Sequence, residues 1–165
     1  MDNATTIVPH DVAQTTNDTL IGVIMCLGDL VRKKGDIICQ QKGITTQQWL
    51  VMLHLAHDPN LPFLPGSETA EHLSSSDLAV AMSVSRPNIT SIVNTLIEKA
   101  LVVQYDDHTD RRVRRIRLTE QGYKTIQEIQ PIRQQANARL LGHIDENNKD
   151  EILEALIQCC RKLGL

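Results

Sequence analysis

Residues 75–100 hold two helical patterns with only Ser83 and Val84 between them. The first, Asp77-Leu-Ala-Val-Ala-Met82, starts behind Ser75 or Ser76, either of which offers a capping hydroxyl. The second starts behind Ser85 and runs to about Ala100. Pro87 lies in its first turn, where a missing N–H costs little. Leu78, Ala79, Met82, Val84, Ile89 and Ile92 set apolar or small side chains on the facing surfaces. Ala79 allows close approach and Ser83 occupies the tight turn. This spacing predicts a helix–turn–helix with its second helix held outward.

The period then changes. Leu101-Val-Val-Gln-Tyr105 reads as a strand, Asp106–Asp110 as a polar turn, and Val113–Leu118 as the returning strand. Five arginines fall within the seven residues from Arg111 to Arg117, although the chain carries a net charge of −3. Strand alternation puts Arg115 and Arg117 on one face and Ile116 and Leu118 on the other. Arg111, Arg112 and Arg114 lie at or near the hairpin tip. Any attraction for a polyanion must come from this patch and not from the bulk charge.

The flanks are helical. Apolar residues recur at helical spacing from Asn17 through Leu20, Ile21, Ile24, Leu27 and Leu30 towards Gly43. Gly22, Gly28 and Gly35 weaken that helix, so outside contacts must help hold it. Thr45-Thr46-Gln47-Gln48 has the form of a capping box, and Trp49, Leu50, Leu53 and Ala56 form the stripe behind it. Residues 58–73 contain three prolines and read as a loop. Thr119 caps a helix passing Ile126 and Ile129, with Pro131 expected to kink it. Asp145 caps a last helix with Ile152, Leu153, Leu156, Ile157 and Leu163 as its stripe. Residues 1–16 are polar and expected to fray.

The fold class is therefore mainly α with a small β-hairpin wing. A single domain, 17–165, is expected, in which helices at 17–43 and 120–165 flank a winged lobe at 44–119. Aromatics are only 2% against 41% hydrophobic residues, so the core must be aliphatic.

Function follows from the polar face of the second helix. Ile89, Ile92, Val93, Leu96 and Ile97 share one face; Asn88, Ser91, Asn94, Thr95 and Glu98 lie opposite. Short side chains with donors and acceptors suit base edges in a major groove, and Ser85 and Arg86 stand at a helix start that favours phosphate. Taken alone, that face also reads as ordinary solvated surface, and the hairpin as a charge-guarded edge. Together they point to double-stranded DNA. The alternative is a winged module that binds protein and not DNA. Net acidity supports it and the arginine density opposes it. Paired carboxylates, a Gly-rich phosphate loop and G-x-S-x-G are all missing, so no enzyme is expected.

Ser76-Asp77-Leu78-Ala79 followed by Val84-Ser85-Arg86-Pro87-Asn88-Ile89-Thr90-Ser91-Ile92-Val93-Asn94-Thr95-Leu96 resembles the winged helix of MarR-type transcriptional regulators. Asp110-x-Arg112-x-x-x-Ile116-x-Leu118-Thr119-Glu120-x-Gly122 is similar to that family's wing signature, and Trp49 sits where its members often have Trp. The resemblance covers about Ile44 to Gly122. It implies a homodimer joined through first and last helices, reading a pseudo-palindromic operator. Ser85, Arg86, Asn88, Thr90, Ser91, Asn94 and Thr95 would meet the major groove. In the wing, Arg112 would enter the minor groove and Asp110 would brace the hairpin through a salt bridge; Arg111 and Arg114, at the tip, are further candidate DNA contacts. Repression relieved by an effector is also implied. Ala100 departs from the family's usual Gly, and the long 58–73 loop bears on the first short strand of the wing sheet.

The sensing chemistry is less legible. Cys26, Cys39, Cys159 and Cys160 form no C-x-x-C pair and no zinc-like spacing with histidine. Reduced cysteines are the simpler reading, with Cys26 and Cys39 the candidates for a redox switch. Trp49, His54 and His57 are the candidates for an effector pocket. Phe63 in the long loop is a further candidate cover for it. No metal site or cofactor is expected. Nothing near the N-terminus has the form of a signal peptide, and Leu20–Leu27 is too short to span a bilayer, so a cytoplasmic location is expected.

Overall fold

A computed structural model describes residues 15–61, 73–108 and 110–163. The fraying expected of the N-terminus, most of the proline-rich loop, and Phe63 within it lie outside these residues. Nine elements follow in order among them: α1 (Thr16–Gln40), α2 (Thr46–Leu55), β1 (Leu73–Ser74), α3 (Ser75–Ala81), α4 (Arg86–Glu98), β2 (Val102–Asp106), β3 (Arg114–Leu118), α5 (Glu120–Leu141) and α6 (Glu146–Lys162). The chain forms two compact units, residues 1–34 and residues 35–165.

Local chemistry sets most boundaries. Thr45 Oγ1 accepts from the Gln48 amide at 3.2 Å, and Gln48 Oε1 accepts from the Thr45 amide at 3.1 Å, which closes the capping box ahead of α2. Thr119 and Asp145 cap α5 and α6 through their side chains. The cap of α3 differs from expectation. It is Ser74, not Ser75 or Ser76, because Asp77 stands three residues after Ser74 and its carboxylate returns to the Ser74 amide at 2.8 Å. α5 continues as helix through Pro131.

The expected two-stranded hairpin is the larger part of a three-stranded antiparallel sheet, ordered β1-β3-β2. Leu73 pairs with Ile116 and Ser74 with Arg115. Leu73 and Ile116 are both buried, so β1 joins because its one apolar side chain completes the core beneath the wing.

The core of the second unit is aliphatic. Val51, Met52, Leu78, Ile89, Leu96 and Ile116 have no solvent exposure. Between α3 and α4 the turn depends on Ser83 at φ +52°, and the Val84 amide returns to the Ala79 carbonyl at 3.0 Å. After α4, Ala100 adopts φ +55°, the left-handed conformation a Gly would take at lower cost. The Leu101 amide then bonds the Leu96 carbonyl at 3.0 Å. Gly122 sits so close to the Leu101 carbonyl that a Cβ there would overlap it. The wing signature is thus a packing device: Ile116 and Leu118 fill the core, while Thr119 Oγ1 donates to the Ala100 carbonyl at 2.7 Å and accepts from the Gly122 amide at 3.0 Å.

Among the described residues, two apolar faces are left uncovered. In the first unit, Leu20, Ile21, Val23, Ile24, Met25 and Leu27 are all exposed. In the second, no residue of α6 is buried, and Ile152, Leu153 and Leu156 are exposed. The periodicity at both places marks helices correctly, but the described residues of the chain do not bury their stripes. Apolar patches of this kind mark association surfaces.

Candidate nucleic-acid interface

Burial of Ile89, Ile92, Val93 and Leu96 fixes the rotation of α4. The opposite side then presents Arg86, Pro87, Thr90, Ser91, Asn94, Thr95 and Glu98 along one shallow groove. Ser85 is the N-cap, yet its hydroxyl makes no capping bond, so it is not committed to the helix. Asn88 is half-buried and lies off this stripe. Glu98 belongs to the stripe although it was not among the expected contacts. Its carboxylate has the chemistry to accept from a cytosine amine.

In the wing, Arg111, Arg112 and Arg114 are exposed. Arg114 lies 3.9 Å from Asp106, with both side chains about two-thirds exposed at 70% and 67%, so solvent screening leaves this pair weak. Arg115 is different. Its guanidinium bonds Asp107 at 2.6 Å and reaches Asp77 at 3.5 Å, tying β3 to α3. Arg117 stacks over Tyr105 at 5.6 Å. The arginines therefore divide into a structural brace and an exposed tip.

The expected role of Asp110 needs correction. No ion pair among the described residues involves it. Its Oδ1 accepts from the Arg112 amide at 2.9 Å, and its own amide donates to Asp107 Oδ1 at 3.0 Å. A short carboxylate at this turn reaches the backbone two residues on. Asp107 supplies the salt bridge instead, since its side chain folds over the sheet towards Arg115. Sequence reading missed Asp107 because nothing local separates it from Asp106.

The candidate effector residues differ in burial. Trp49 and His54 are buried, and among the described residues neither Trp49 Nε1 nor His54 Nδ1 has a hydrogen-bond partner. Burial holds the His54 imidazole below its usual pKa. His57 does not join them: it is exposed, at φ +50° beyond the end of α2. Arg133 of α5 instead stacks 5.1 Å over the Trp49 ring and lies 3.5 Å from Asp58, and its Nε has no hydrogen-bond partner among the described residues. No sequence signal links Arg133 to Trp49.

Cys39 is corrected from redox candidate to core residue. It is buried, and its thiol is pushed up to about 11 by burial and by Asp36, against a hydrogen bond with Thr46. A thiol held protonated is a poor nucleophile. Cys26 is exposed. Among the described residues no group of His, Cys, Asp or Glu is arranged to hold a metal ion, and no helix is long and apolar enough to cross a membrane.

Comparison with known proteins agrees with this geometry. Residues 42–113 match the family model for the MarR family. The chain is 27% identical over 131 residues to the transcriptional activatory protein BadR of Rhodopseudomonas palustris, covering 79% of this chain and 70% of that one. It is 33% identical over 92 residues to the HTH-type transcriptional regulator FarR of Neisseria gonorrhoeae, spanning 56% of this chain and 55% of that one. Its fold superimposes with a TM-score of 0.74 on Staphylococcus aureus MepR solved as a DNA complex, at 19% identity, covering 91% of this chain and all of the other. The paired α3 and α4 and the three-stranded wing form a winged helix–turn–helix, and over residues 42–113 the chain is similar to the MarR family.

Proposed function

We propose that two copies of this chain bind a pseudo-palindromic operator, each placing α4 in a major groove and its arginine tip against the adjoining minor groove. One observation carries this reading. The lobe that exposes a short-side-chain stripe on α4 also exposes Arg111, Arg112 and Arg114, while Arg115 is spent on bracing. A wing that only touched protein would need no such free charge. The uncovered apolar faces of the first unit and of α6 each call for a partner surface, and a second copy supplies both.

Trp49, His54 and Arg133 form the candidate effector site. Among the described residues Trp49 Nε1, His54 Nδ1 and Arg133 Nε are buried without partners, which is costly, and a small molecule bearing acceptors would satisfy the stacked Trp49 and Arg133 donors. Loading this site shifts the dimer away from its DNA-binding arrangement, and repression is relieved. Cys26 is the residue on which an oxidant signal would act, but no comparable cost attaches to it. The sign of regulation follows from where the operator lies relative to the promoter, and one relative is named as an activator.

Selection of bound duplexes from a random pool tests the reading. An enriched sequence with two-fold symmetry is expected. Recovery of no enriched sequence overturns it in favour of a protein-binding winged module.

A further inference from the structure

Among the polar side chains of the α4 stripe, two have their hydroxyls already engaged. Thr90 Oγ1 donates to the Arg86 carbonyl at 2.9 Å, and Thr95 Oγ1 donates to the Ser91 carbonyl at 3.1 Å. Each hydroxyl is turned back along its own helix. With the hydroxyl committed to the preceding turn, the γ-methyl is the heavy group of each side chain left for an outside contact. Ser91 and Asn94 contrast with them, since among the described residues neither side chain has a hydrogen-bond partner. The stripe is therefore chemically divided. Ser91 and Asn94 hold free donors and acceptors near its middle, and Thr90 and Thr95 carry methyls on its two flanks.

We propose that Thr90 and Thr95 are specificity residues that recognise thymine through methyl–methyl contact and not through their hydroxyls. The reading rests on α4 entering a major groove. There the thymine C5-methyl is the one apolar feature of the base edges. Five residues separate the two threonines, about 7.5 Å of helix rise, against about 3.4 Å per base-pair step. They therefore meet different base pairs, and each half-site should contain two methyl-dependent positions.

The test uses the whole 165-residue chain and the duplex recovered by selection. Each thymine of one half-site is replaced in turn by deoxyuracil, which removes only the methyl. Affinity should fall about fourfold at two positions, the factor that burial of one methyl gives. At one of them Thr90→Ser should erase the difference between thymine and deoxyuracil, and Thr95→Ser should erase it at the other. Thr90→Val and Thr95→Val keep the methyl and should keep the discrimination. Circular dichroism and melting of each variant establish that it is folded. Loss of binding in the valine variants, or indifference to deoxyuracil everywhere, overturns the proposal while leaving operator binding intact. Failure of the unaltered protein to bind any duplex overturns both.

Discussion

Replacing Arg111 and Arg112 together with alanine should change how strongly DNA binding depends on salt. Both residues are exposed at the wing tip, so each is available to neutralise one phosphate and release its counterion. The logarithm of affinity falls against the logarithm of salt with a slope of about 0.9 per phosphate contact. Two lost contacts per wing reduce that slope by about 1.8, and two wings on one operator by about 3.6. Arg115→Ala is the internal control. Its guanidinium is held by Asp107 at 2.6 Å and by Asp77 at 3.5 Å, so its removal should lower the melting temperature while leaving the slope unchanged. Fluorescence anisotropy with the selected duplex across a salt series measures the slopes, and calorimetry measures the melting. An unchanged slope in Arg111→Ala/Arg112→Ala, with a reduced slope in Arg115→Ala, would refute the division between tip and brace.

Four further outcomes follow from the packing. Ala100→Gly should stabilise the protein by about 0.5–1 kcal/mol, the left-handed penalty relieved less the added freedom of Gly in the unfolded chain; thermal unfolding at fixed protein concentration checks it. Gly122→Ala should destabilise by roughly 1–3 kcal/mol, because its Cβ would meet the Leu101 carbonyl and Leu118, and a melting temperature equal to the unaltered protein's would contradict this. His54 is held below its usual pKa, so the unfolded chain binds the extra proton first. The stability tied to neutral His54 is complete above the unfolded value of about 6.5 and is lost as pH falls through the folded value. Melting temperature should thus drop more steeply on acidification than in His54→Gln. Leu153→Glu with Leu156→Glu should leave the protein folded but monomeric in sedimentation, since neither side chain is buried within the chain.

Much of the fold is legible because its causes are local. Thr45 with Gln48, Ser85 with Pro87, Thr119 and Asp145 each mark a helix start through groups no more than four residues apart. The α4 stripe follows from periodicity once Ile89, Ile92, Val93 and Leu96 are known to face inward. The misassignments share a different cause. β1 depends on Leu73 meeting Ile116, and no local pattern in a proline-rich loop announces a two-residue strand. The capping serine moved to Ser74 because three serines in succession offer near-equal caps until Asp77 chooses among them.

The candidate sites divide in the same way. Short-range pattern determined that a helix–turn–helix precedes an arginine-rich hairpin, because capping, alternation and turn chemistry act between neighbours. Tertiary structure alone decided that Asp107 and not Asp110 holds Arg115, that Arg133 and not His57 stands against Trp49, and that Cys39 is sealed in the core. Such pairings join segments up to 84 residues apart, as with Trp49 and Arg133. Burial and partner choice at that range depend on how whole elements pack, and side-chain identity along the chain carries no record of it.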